Sequence, residues 1–182
     1  RVKPILMATV PRLWESIKLG FEDAIEKLPK LRKNLIKSAI SNSKAYKLAR
    51  RKFNLLTIER VSTLGQVISL IEIFLRFPIH RISSIYLWPK ILTKICGGRL
   101  RFPISGGGAI APHIDSFFEA LGVELLVGYG LTETSPVLTC RRPWRNKRGG
   151  AGQPLPETEI KIVDPETFQT KKVRQKGLVL AR

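Results

Sequence analysis

Apolar and polar positions follow three regimes along the chain. Residues 5–10 form a mostly apolar run, which reads as a short strand, with a turn at Pro11 and a helix from about Leu13. After Lys27 the spacing changes, and Leu28, Leu31, Leu35 and Ala39 recur at steps of three and four, the period of a helix with one apolar stripe. From Leu100 onward short apolar runs alternate with glycine and proline. Residues 100–104 read as a strand and 105–111 as a glycine-rich turn. Pro112 then opens a helix through Phe117, Phe118 and Leu121 that stops at Gly122, and residues 123–127 form the next strand. Residues 159–163 and 178–181 read as the two strands of a hairpin around Asp164, Pro165, Glu166 and Thr167.

The order strand, glycine turn, helix, strand is a βαβ unit, which makes the two strands parallel through a right-handed crossover. The fold class expected is α/β: a parallel βαβ core, a basic helical insertion and a C-terminal β-hairpin. The chain divides into a strand and helix at 1–26, the helical region at 27–95, the βαβ unit and its loops at 96–156, and the hairpin at 157–182. In this arrangement the loops at 105–108 and 128–135 leave the sheet at the same carboxyl edge, where open α/β sheets bind ligands.

Charge sharpens this picture. With 32 Lys and Arg against 14 Asp and Glu, the formal net charge is +18. Such a chain attracts polyanions of any kind. Much of the excess sits in the helical region, at Lys30, Lys33, Lys37, Lys44, Lys47, Arg50, Arg51 and Lys52, where Glu59 is the lone acid between Lys27 and Arg60. Two readings stand: a solvated basic face over an ordinary core, or a surface for anionic membrane or an acidic protein. The basic residues lack interleaved aromatics or a nucleic-acid reading motif, so nucleic acid is not expected as a partner. Cys96 and Cys140 have neither metal nor redox spacing and read as free thiols. The apolar stretch at 61–95 is broken by Glu72, Arg76, Arg81 and Lys90, short of the roughly 20 uncharged residues of a bilayer span. The chain opens on Arg1 inside an apolar run and stops on a strand-like segment, so it is expected to be cut from something longer.

The residue types at the sheet edge suit a nucleotide. Gly106, Gly107 and Gly108 let backbone approach a flat base or an acyl carbonyl. Taken alone, three glycines are more often a tight turn. Gly128 and Gly130 flank Tyr129, whose ring can stack; Thr132, Thr134 and Ser135 offer hydroxyls for phosphate oxygens, and Glu133 offers a hard oxygen for magnesium. His113, in the first turn of the following helix, reads as a surface or capping residue. Trp14, Trp88 and Trp144 read as core or interface aromatics.

The segment 129–136, Tyr-Gly-Leu-Thr-Glu-Thr-Ser-Pro, resembles the signature of the AMP-forming acyl-CoA synthetase superfamily. Further blocks of that family occur in the same order: PILMATVPRLWE at 4–15, GGRLRFPISGGGAI at 97–110, GGAGQPLP at 149–156 and TEIKIVD at 158–164. The likeness is to the long-chain fatty-acid ligases, above all the cyanobacterial and plastid acyl-[acyl-carrier-protein] synthetases. It implies that ATP and Mg2+ are cofactors, that a fatty acid is activated to an acyl-adenylate, and that acyl carrier protein or coenzyme A accepts the acyl group. It also implies a cytoplasmic or plastid stromal setting with possible peripheral membrane contact. Gly106, Gly107 and Gly108 would line the adenine and acyl carbonyl, Gly128, Tyr129 and Gly130 the adenine, Thr132 would contact phosphate, and Glu133 would hold the metal. Gly152 and Pro154 would shape the loop behind them. The family's Ser/Thr/Gly-rich loop ending in lysine would lie upstream and its C-terminal lysine downstream. Leu178 stands where family members commonly place an acid after glycine.

Overall fold

The computed structural model describes residues 3–182. In chain order the elements are β1 (Leu6–Thr9), α1 (Pro11–Glu26), α2 (Lys30–Phe53), α3 (Thr63–Ile82), a π-helical stretch (Ser83–Leu87), α4 (Trp88–Cys96), β2 (Phe102–Ser105), α5 (Pro112–Ala120) and β3 (Leu126–Gly130). A 3-10 turn (Thr132–Thr134), β4 (Val137–Cys140), β5 (Gln153–Pro154), β6 (Ile160–Val163) and β7 (Leu178–Ala181) follow. Strands β1 to β5 form one sheet in sequence order, and β6 and β7 form a second.

The α/β class holds, and β1, β2 and β3 are parallel as the crossover requires. The sheet is nevertheless mixed, because β4 and β5 continue it antiparallel. The expected hairpin is present, with Ile160 opposite Ala181 and Val163 opposite Leu178. Pro11 is the first residue of α1 rather than a turn before it, the position where a missing N–H costs nothing.

The strand expected at 123–127 lies further along. Gly122 adopts a left-handed φ of 90°, and the Gly122 and Val123 amides bond back to the Glu119 and Phe118 carbonyls at 3.0 and 2.9 Å. This closes α5 with the pattern of a Schellman cap. Val123 and Leu125 are thereby spent on the helix end and its core, and pairing starts at Leu126. Gly128, Tyr129 and Gly130 consequently belong to the strand, not to the loop after it.

Helix α5 is the hub of packing. Phe118 is fully buried and meets Trp14 edge to face at 4.9 Å; Phe117 lies against Phe21 at 5.2 Å. Ile25, Ala39, Ile40, Trp88, Ile114, Leu121 and Leu125 complete this core. Trp14 and Trp88 are core residues as expected, whereas Trp144 is exposed under the Arg142 guanidinium. His113 is exposed, and both cysteines are free.

Of the basic residues of α2, Lys30, Arg50 and Lys52 are exposed, and four others have partners in the fold. Lys33 and Lys37 pair with Glu26. The Lys44 ammonium lies 5.9 Å from the centre of the Phe117 ring, and Arg51 reaches Glu119 at 3.4 Å. Between α2 and α3 the contact is partly polar: His80 Nδ1 lies 2.9 Å from Ser43 Oγ, and its ring stacks on Tyr46 at 4.2 Å. Burial, with Lys47 and Arg50 adding repulsion, pulls the His80 pKa down to about 4 from its ordinary 6.5.

Two predictions follow from this packing. Phe118→Ala should remove about 3–5 kcal/mol of stability, measured by denaturant unfolding; a loss within a few tenths of a kcal/mol would contradict the hub role of α5. His80 is neutral in the folded chain, and the unfolded chain protonates first as pH falls. Its contribution is therefore complete above pH 6.5 and is lost between there and about 4. An imidazole NMR titration should place its midpoint near the lower bound, and a midpoint at the ordinary value would refute the burial argument.

Candidate functional site

Strands β2 and β3 pair over only two positions, Ile104 with Leu126 and Ser105 with Val127. Beyond Ser105 the two chains part. The Gly106 amide bonds to the Thr9 carbonyl at 2.9 Å, turning the backbone toward β1, while β3 runs on to Gly130 and pairs with β4. The gap is a cleft of about 490 Å³ walled by residues 107–110, 127–130 and 149–151, with Arg141 at its side. That volume falls within the roughly 300–1,000 Å³ usual for small-molecule sites.

Of the residues singled out in the sequence, Gly107, Gly108, Gly128, Tyr129 and Gly130 meet in this cleft. Gly106 is not among the lining residues; an added Cβ there would stand 3.8 Å from the Gly128 carbonyl oxygen. Gly130 cannot be replaced by any larger residue, because a Cβ there would fall onto the Pro136 carbonyl. The turn between β3 and β4 folds the chain back and sets Gly130 opposite Val137, with a register shift at Tyr129 and Gly130. Tyr129 lines the cleft and keeps 36% of its surface exposed.

Thr132 and Glu133 are exposed on the short turn beyond β3 and do not form its walls. Among the described residues Glu133 makes no ion pair, and no cluster of three His, Cys, Asp or Glu side chains occurs. The Thr134 hydroxyl, expected to offer itself to phosphate, is spent locally: it accepts from the Leu131 amide at 2.9 Å and faces the Leu131 and Pro136 carbonyls. Ser135 takes a left-handed φ of 59° to reverse the chain.

The third wall was not foreseen as such. It is positioned by a buried ion pair, Arg141 Nη1 to Asp115 Oδ2 at 2.7 Å, with both side chains 3% exposed. Arg141 Nε donates to the Gly150 carbonyl at 2.7 Å, and the Thr139 hydroxyl donates to the Ala151 carbonyl at the same distance. Arg148 also pairs with Asp115 and lies 3.6 Å from Glu119. Burial raises the Glu119 pKa against the pull of Arg51, and burial beside Arg51 lowers Arg148 to about 9. The sequence signal existed: Asp115 and Glu119 stand four apart on a helix whose neighbouring positions, Ile114, Phe117 and Phe118, are apolar. Acids so placed are buried and need cations.

The sequence profile of the AMP-binding enzymes matches residues 1–182. The chain belongs to the AMP-binding enzyme family. Among curated relatives, this AMP-binding chain is 36% identical over 190 residues to a long-chain-fatty-acid–[acyl-carrier-protein] ligase, AEE15, chloroplastic, of Arabidopsis thaliana. It is 34% identical over the same length to the probable acyl-activating enzyme 16, chloroplastic, of that plant. Both alignments cover 100% of this chain and 26% of the relative. A long-chain-fatty-acid–CoA ligase 1 of Schizosaccharomyces pombe is 28% identical over 165 residues, covering 90% of this chain and 21% of its own length. The AMP-binding chain thus spans about a quarter of the length of these two plant relatives.

If the Asp115–Arg141 pair holds the third wall, the losses from breaking either side should overlap. Asp115→Leu leaves the buried Arg141 and Arg148 uncompensated and should cost about 3–5 kcal/mol. The double variant Asp115→Leu/Arg141→Met should lose clearly less than the sum of the single losses. Denaturant unfolding of the four proteins in a double-mutant cycle measures this, and additive losses would mean that the pair is not coupled.

Proposed function

We propose that the protein containing this chain activates a long-chain fatty acid with ATP. The acid's carboxylate oxygen attacks the α-phosphorus, pyrophosphate leaves with the P–O bonding pair, and the acyl-adenylate then gives its acyl group to a thiol, releasing AMP. The observation that carries this reading is the cleft itself. Six glycines, Gly107, Gly108, Gly128, Gly130, Gly149 and Gly150, line it together with Tyr129, an opening suited to a purine base laid against main chain. Gly106, Gly107 and Gly108 border the base and the acyl carbonyl, and Gly128, Tyr129 and Gly130 hold the base. Thr132 contacts phosphate just outside the cleft. All 182 residues belong to one AMP-binding domain of a larger chain.

Magnesium fits this setting. The ion retains several waters and is commonly held by one or two carboxylates together with substrate phosphates, not by a dedicated protein cage. A single exposed, unpaired Glu133 beside a phosphate-contacting Thr132 meets that requirement. When bound, the ion would offset charge on the transferring phosphoryl group. Two relatives bearing chloroplast-targeted names, one of them an acyl-carrier-protein ligase, support acyl carrier protein as thiol donor in a plastid stroma. Coenzyme A is the other acceptor, as the yeast relative's name indicates.

The test is ATP–pyrophosphate exchange by the full-length protein. Exchange should depend on a long-chain fatty acid; exchange indifferent to the acid would overturn the reading. Glu133→Gln should lower the rate by about 100-fold and raise the magnesium concentration needed, with unfolding unchanged. An unaltered rate would remove Glu133 from the site.

A further inference from the structure

The third wall of the cleft meets the loop between α2 and α3, residues 54–62. Its three small residues are held in different ways. The Gly150 carbonyl accepts from Arg141 Nε and the Ala151 carbonyl from the Thr139 hydroxyl, both at 2.7 Å. Among the described residues Gly149 takes part in no hydrogen bond, and its φ of 82° is left-handed. What lies against it is Ile58. A Cβ placed on Gly149 would stand 2.8 Å from Ile58 Cδ1 and 3.9 Å from its Cγ1, so the tip of the isoleucine occupies the space a larger residue would need. Ile58 does not line the cleft; it borders a separate cavity with Leu56, Val61 and Arg148. It therefore touches the wall without entering the space for a ligand.

The loop is built to hold that contact. Leu55 takes a left-handed φ of 55°, a costly state for a bulky side chain. It closes α2 with the pattern of a Schellman cap, the Leu55 and Leu56 amides bonding to the Lys52 and Arg51 carbonyls at 3.2 and 2.8 Å. Glycine usually fills that position, and a leucine persists there only where its surroundings fix the turn. Further on, the Thr57 hydroxyl donates to the Glu59 carbonyl across Ile58 at 3.0 Å, and Ser62 caps α3 by accepting from the Gly65 amide at 3.1 Å. The last turn of α2 is tied to α5 through Arg51 and Glu119. Ile58 itself keeps 59% of its surface exposed, so it is no core residue, and its contact with Gly149 lies wholly within this chain.

We propose that Ile58 is a positioning residue for the nucleotide: its Cδ1 braces Gly149 and so sets how far the wall at 149–151 stands from Gly107, Gly108 and Tyr129. It touches no ligand and acts through backbone. The helical region thereby contributes to nucleotide affinity, although none of its residues lines the cleft. This role deepens the ATP reading of the cleft and rests on it for the identity of the ligand.

The experiment measures ATP–pyrophosphate exchange by the full-length protein at saturating fatty acid. Ile58→Ala should raise KM for ATP about tenfold with kcat unchanged. Ile58→Leu, which keeps a methyl at the same reach, should bring KM back to within about twofold of wild type. Gly149→Ala should also raise KM, because its Cβ meets Ile58 Cδ1; in the Ile58→Ala background the same substitution should raise it less. The amides of Gly149, Gly150 and Ala151 should exchange hydrogen faster in Ile58→Ala, since a wall without its brace opens more often. An unchanged KM in Ile58→Ala overturns the proposal, as does amide protection equal to wild type. So does an equal effect of Gly149→Ala in both backgrounds, which would mean that the two residues do not meet. KM and kcat changing together with a lowered melting temperature would make Ile58 a general stabiliser of the fold and overturn it too. Wild-type protein without acid-dependent exchange would sink the ligase reading instead; ATP affinity by equilibrium dialysis then replaces KM, with the same Ile58 and Gly149 outcomes deciding, and wild-type protein that binds no ATP overturns both.

Discussion

The arrangement of this chain rests on the buried contact between Asp115 and Arg141. Removing two charges from water is costly, and only close geometry with further hydrogen bonds makes such a pair tolerable. Here the 2.7 Å contact, the Arg141 bond to the Gly150 carbonyl and the second cation Arg148 provide that compensation. Asp115 is in the first turn of α5, where the helix dipole favours an acid. Through it, the helix that organises the core is joined to the strand β4 and to the backbone that closes the cleft. The hydrophobic hub around Phe118 and the glycine wall at 149–151 are therefore held by one electrostatic knot.

Much of this was legible in the chain. The strand, glycine turn and helix after Leu100 could be read because glycine and proline punctuate them, and the parallel pairing of β2 with β3 follows from the crossover rule. The boundary of β3 could not, since Val123 and Leu125 are as apolar as a strand requires; only the Gly122 cap reveals that they serve the helix. Strands β4 and β5 escaped for a different reason. They are four and two residues long and are defined by their partners more than by any pattern of their own.

In the candidate site, sequence reasoning found the residues that bear glycine or aromatic character and missed those acting through tertiary contact. Gly107, Gly108 and Tyr129 stand out locally. Arg141 is one of several arginines in a basic chain, and nothing adjacent marks it as the one whose charge is buried. Thr134 shows the converse: a hydroxyl of suitable type whose bonding capacity is taken up by its own turn. The basic helix α2 shows it again, with Lys33 and Lys37 on Glu26, Lys44 on Phe117 and Arg51 on Glu119.

The cleft's walls are mostly main chain, and this limits how the molecule can change. A surface made by side chains can be reshaped one substitution at a time, but at Gly130 the only available change is to put an atom where the Pro136 carbonyl already stands. Such a wall resists gradual variation in either direction. New preferences for the molecule bound beside it must therefore arise in parts of the protein that do not build the wall, so the chain keeps a fixed half and leaves novelty to its surroundings.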